Sequence, residues 1–127
     1  MNPILKNALA IIVATVAMMA ANMAVLMACS IVVPDLEQVN LHALAGLELL
    51  YFLPPFLAHS LGTLVGAVIA TKMATSEKCG AAITVGAIHL AGGVAATFMI
   101  DAPTWYDLID VSLAYIPVAW IGWKLAK

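Results

Sequence analysis

The chain has 127 residues, of which 65% are hydrophobic and 9% charged, with a mean hydropathy of +1.07. Soluble domains are about half apolar and about a quarter charged, so this balance excludes a soluble domain and implies one membrane domain. A net charge of −2 built from five Lys and no Arg also argues against nucleic acid or phosphate as partners, since both are recognised by cationic clusters and guanidinium forks.

An apolar run over 8–33 is long enough for a spanning helix, which needs about 20 residues, and Pro34 and Asp35 end it. Leu26-Met27-Ala28-Cys29 approximates a lipoprotein cleavage site, but the apolar run before Cys29 is longer than a signal peptide's and a single Lys precedes it. The segment is therefore expected to be retained as a helix. Over 35–47, Leu36, Val39, Leu44 and Leu47 fall near one helical face and Asp35, Gln38 and His42 on the other, which predicts a short amphipathic helix on the outer surface. Further apolar runs over 49–74, 79–100 and 105–125 predict three more spans.

Charge orients them. Lys6, Lys72, Lys78, Lys124 and Lys127 fall at one side of the threaded chain, whereas Asp35, Glu37, Glu48, Asp101, Asp107 and Asp110 fall towards the other. Basic residues are retained in the cytoplasm. The expected fold is an all-α membrane protein of four transmembrane helices with cytoplasmic N- and C-termini, in the inner membrane of a bacterium. Trp105 and Tyr106, extended by Tyr51 and Phe52, would anchor the outer interface, and Trp120 and Trp123 the inner one. Cys29 and Cys79 then lie at opposite faces, too far apart for a disulfide.

Lipid offers no hydrophobic push between helices, so close approach depends on small residues. Ala10, Ala14, Ala17, Ala21, Ala24 and Ala28 form such a stripe on the first helix. Ala58, Gly62, Gly66 and Ala70 form one on the second, including a GxxxG, and Gly86 and Gly93, with Gly92 and Ala96, mark the third. A bundle this small is expected to form a homo-oligomer within the bilayer, and other membrane subunits could dock on the same stripes. Pro54 and Pro55 are expected to kink the second helix and Pro117 the fourth.

Ionisable residues inside spans are functional-site candidates. His59 lies roughly 20 Å and His89 roughly 17 Å from the lysine level, with Asp110 roughly 21 Å from it, at 1.5 Å per residue. Both histidines ride on glycine-bearing faces and should point inward. The candidate transport or proton-relay set is His59, His89 and Asp110, with Asn22, Thr63, Thr97 and Tyr115 as polar neighbours. A His beside a carboxylate relays protons at physiological pH. Two His and one Asp could instead hold a divalent metal such as zinc. A third reading makes these groups interhelical glue. Thr104 and Asp107 match a capping box for the fourth helix. Met19, Met23 and Met27 share a stripe whose thioethers suit copper(I), although methionine is also a common apolar filler.

The chain carries no Walker loop, GxSxG, HExxH, CxxC or dinucleotide fingerprint. The expectation is a small channel or carrier for protons, a metal cation or a small polar solute. The alternatives are a structural or assembly subunit and a membrane-embedded metalloenzyme.

Overall fold

A computed structural model describes residues 1–40, 44 and 46–127. Among them the regular elements are all helical: α1 Pro3–Val32, α2 Leu53–Met73, α3 Lys78–Met99, α4 Thr104–Leu113 and α5 Ile116–Ala126, with single 3-10 turns at Leu36–Gln38 and Leu49–Tyr51. Four segments are long and apolar enough to cross a membrane: Pro3–Val32, Leu49–Met73, Lys78–Met99 and the α4–α5 stretch Thr104–Ala126. An integral membrane protein follows.

The start of α1 is fixed by Asn2, whose side chain accepts from the Ile4 amide at 2.9 Å, and by Pro3, whose missing N–H is no loss in a first turn. Its 30 residues reach about 45 Å, well beyond a hydrocarbon core of about 30 Å. Pro54 and Pro55 do not kink α2 as expected. They occupy its first turn, where their fixed φ favours initiation, so the segment from Leu49 is a 3-10 turn followed by a new helix. Pro117 does more than kink. It cannot donate to the Leu113 carbonyl and its ring crowds that oxygen, so the span divides into α4 and α5, with Tyr115 at φ −116°, ψ −83° between them.

The helix α2 packs against α1, α3 and α5. Spacing by four governs its seam with α1: Ala10, Ala14 and Met18 are buried, and a β-carbon on Gly66 would lie 2.9 Å from Met18 Cβ and 2.8 Å from Val85 Cγ1. The alanine stripe of α1 therefore faces inward only in its first half. Ala24 and Ala28 are exposed, because alternating steps of four and three drift off a seam that advances by fours. On the other side of α2, Gly122 meets Ala67 Cβ at 2.7 Å, and Gly86 of α3 meets Ala119 Cβ at 2.6 Å, both measured from a built β-carbon.

These pairings gather the five lysines at one end of the bundle. There, Asn7 of α1 clasps the α2–α3 turn: its Nδ2 donates to the Ser76 carbonyl at 2.8 Å and its Oδ1 accepts from the Thr75 amide at 3.0 Å. Lys124 Nζ sits 5.0 Å from the Trp120 ring and 4.9 Å from the Trp123 ring. At the opposite end, the expected aromatic belt is only partly present. Trp105 is exposed, but Phe52 and Tyr106 are buried against each other and Leu44, with ring centroids 5.1 Å apart.

The described part of 35–47 contains one 3-10 turn and no α-helix. Leu36, Val39, Leu44 and Leu47 fold back over the bundle. His42 falls outside the described residues.

Candidate functional site

Three structural breaks meet at the acid-bearing end: the proline start of α2, the α4–α5 division and the returning loop. The first two aim polar side chains at one another. His59 stands nearly two turns inside α2, and Tyr115, freed from helical direction by Pro117, turns back towards it while remaining fully buried.

Asp110 is 5% exposed and lies at the centre. The Tyr115 hydroxyl donates to its Oδ2 at 2.7 Å, and His59 Nδ1 is 2.8 Å from its Oδ1. His59 Nδ1 is also 3.0 Å from the Tyr115 oxygen. Because the single Tyr115 proton is given to Asp110, the contact to His59 uses a Tyr115 lone pair, and the nitrogen is the donor. One proton thus lies in the short bond between His59 Nδ1 and Asp110 Oδ1, with both carboxylate oxygens engaged.

The second histidine is held separately. Thr63 donates its hydroxyl proton to the His59 carbonyl at 2.7 Å, so its oxygen accepts from His89 Nδ1 at 2.8 Å. His89 Nδ1 therefore carries hydrogen, which leaves Nε2 as its variable nitrogen. The two imidazoles stand edge to face with centroids 5.7 Å apart, and the Tyr115 ring lies 5.1 Å from His89. Gly93 makes this possible. A β-carbon there would collide with the Tyr115 hydroxyl and would come within 2.9 Å of its Cε2.

The structure thus brings together His59, His89 and Asp110 with Thr63 and Tyr115. Thr97 is one step removed: its hydroxyl donates to the Val94 carbonyl at 2.7 Å, and it lines a neighbouring cavity. Asn22 does not join the network. It packs beside Gly62, with its Oδ1 buried and unpartnered. Among the described residues no three His, Cys, Asp or Glu side chains gather as a metal-binding set. The two Nδ1 atoms are committed to different partners, one to Asp110 and one to Thr63. Met19, Met23 and Met27 are more than half exposed on the outer face of α1, far from these groups in the manner of lipid-facing side chains.

A cavity of about 310 Å³ adjoins the network, with His59 and Asp110 in its wall. Leu36, Val39, Leu44 and Leu47 of the loop cover it, and Tyr106 and Asp107 of α4 complete its polar side. The loop's apolar face was visible in the sequence; its destination was not. The capping box expected from Thr104 and Asp107 does not form: the N-cap of α4 is Pro103, without a side-chain cap bond, and Asp107 faces the cavity. The signal that could have revealed this is its spacing of three from Asp110, which puts both carboxylates on one helical face.

Comparisons with protein-family models, with curated proteins and with solved structures find no match.

Proposed function

We propose that the protein is a small membrane carrier or channel that moves protons, either as its cargo or in exchange for a cation or small polar solute. The observation that carries this reading is the His59–Asp110–Tyr115 network inside a span, bordering a cavity. Such a network is costly to keep within a membrane unless it is used. The bond between His59 Nδ1 and Asp110 Oδ1 holds one proton, and His59 Nε2 can accept a second, giving an imidazolium paired with the carboxylate.

A charged His59 repels a cation from the cavity, and a neutral one exposes the negative charge of Asp110 to it. Proton and cation thereby exclude each other, which is the elementary requirement of exchange. Among the described residues the titratable groups around His59 are Asp107 and Asp110 from α4, Tyr106 from the same helix, Tyr115 from the α4–α5 break, His89 from α3 and, across the cavity, Tyr51. The α1 residue at the cavity, Leu26, contributes no charge.

The lysine distribution supports cytoplasmic termini in a bacterial inner membrane, with the cavity towards the outer side. Extensive exposed apolar surface on α1 suits either lipid or a second copy in a homo-oligomer.

The test is proton uptake into liposomes containing the purified protein and a trapped pH-sensitive dye, driven by a potassium diffusion potential. Wild type should exceed protein-free liposomes at least about ten-fold. The joint His59→Ala and His89→Ala replacement should abolish the difference. Flux that survives it would sink the proposal.

A further inference from the structure

Resting on the carrier reading for its role in transport, though not for binding itself, the geometry points to an organic ammonium ion as the cavity's occupant. The ligand would be a protonated amine carrying a compact apolar body.

Charge is the first argument. Asp107 and Asp110 both line the cavity, and none of the five lysines does. Asp110 is engaged by His59 and Tyr115, whereas the carboxylate of Asp107 has no hydrogen-bond or ion-pair partner among the described residues. Among the described residues one imidazole, that of His59, faces two carboxylates there, so an added cation is favoured over an anion or a neutral solute.

Unmet hydrogen bonding is the second. Tyr106 is 9% exposed and lines the cavity, and its hydroxyl, which Asp110 influences electrostatically, meets no well-formed hydrogen-bond partner among the described residues. A buried hydroxyl left unpaired is costly, and an ammonium N–H supplies the donor that its oxygen lacks.

The remaining wall determines the body of the ligand. Leu36, Val39, Leu44 and Leu47 above, with Leu26 and Ile100 at the sides, offer nothing to replace a hydration shell. Among the described residues no three His, Cys, Asp or Glu side chains gather to replace the water of a bare metal ion, whereas an alkyl or aryl group gains from the apolar surface. Phe52 and Tyr51 add ring faces that attract a cation. Thus the site matches an amphipathic cation, charged head at Asp107 and Tyr106 and apolar body under the loop.

The experiment is calorimetric titration of the full chain in lipid nanodiscs against protein-free nanodiscs, with 3-phenylpropylammonium, its neutral analogue 3-phenylpropan-1-ol, and methylammonium. The aryl ammonium should bind at least about ten-fold more tightly than either comparator. Asp107→Asn, at a half-buried position outside the His59 network, should weaken it about ten-fold with the helical content unchanged. Equal binding of the alcohol would make this a purely apolar pocket, and equal binding of methylammonium would make the apolar wall irrelevant; either overturns the inference, as does failure of the folded wild type to bind the aryl ammonium. Ammonium binding without proton flux in liposomes would leave the inference standing and remove the carrier reading. Flux without ammonium binding would do the reverse.

Discussion

From the lysine-bearing end up to about the level of Gly62, the helices meet through Ala10, Ala14, Gly66, Ala67, Gly86, Ala119 and Gly122, with side chains so small that the backbones touch. Beyond that level the same helices part around His59, Asp110 and a cavity of about 310 Å³; α1 and α3 run on unbroken, but α2 begins there, α4 ends there and the loop folds over. The first half is held by van der Waals contact, which tolerates no added volume. The second is held by hydrogen bonds whose loss costs more than their area suggests, because neither lipid nor water replaces them. A molecule built this way has a rigid base and a region able to rearrange, with the ionisable groups in the latter.

Substitutions can break this contrast. The largest effect is expected from Asp110→Ala, which strips His59 Nδ1 and the Tyr115 hydroxyl of their shared acceptor and should cost about 3 kcal/mol, measured by reversible unfolding in mixed micelles. A smaller loss, about 2 kcal/mol, is expected for Gly86→Val, because its β-carbon would press 2.6 Å from Ala119 Cβ in the rigid half; proton flux per folded molecule should be unchanged. Tyr115→Phe keeps the packing against Gly93 and removes one donor, so about 1 kcal/mol and a several-fold loss of flux should follow. The smallest change should have the opposite sign. A β-carbon on Gly92 meets nothing within 4 Å, so Gly92→Ala should stabilise α3 by about 0.5 kcal/mol, in contrast to the adjacent Gly93→Ala, which collides with Tyr115.

The same contrast separates what the residues announced from what they concealed. Apolar run lengths and the lysines made the spans legible, and helical rise was enough to set His59, His89 and Asp110 at neighbouring depths. Ring centroids 5.7 Å apart agree with that estimate for the histidines. Small-residue spacing made the α2 seam legible too. It misled in the second half of α1, where any alanine stripe looks alike whether it meets a helix or lipid. Proline consequences were the least legible, because Pro54, Pro55 and Pro117 each permit a kink, a start or a break, and only the tertiary partner decides which. Tyr115 is an example: as a neighbour of Pro117 it was one polar candidate among four, and the break made it a partner of both Asp110 and His59. The cavity was hidden for a related reason. Leu36, Val39, Leu44 and Leu47 share an apolar face under several foldings of the loop, and the sequence pattern does not say whether that face covers lipid or protein.

Where the proton sits on His59 in a bilayer is the property on which the carrier reading depends. Nitrogen-15 NMR of histidine-labelled protein in lipid, assigned by His59→Gln and His89→Gln, reads it directly. The account predicts that neutral His89 carries its proton on Nδ1. It further predicts that neutral His59 carries its proton on Nδ1 as well, in the bond to Asp110 Oδ1, leaving Nε2 as the site for a second proton. A neutral His59 protonated on Nε2 instead, with the helical fold intact, would contradict it.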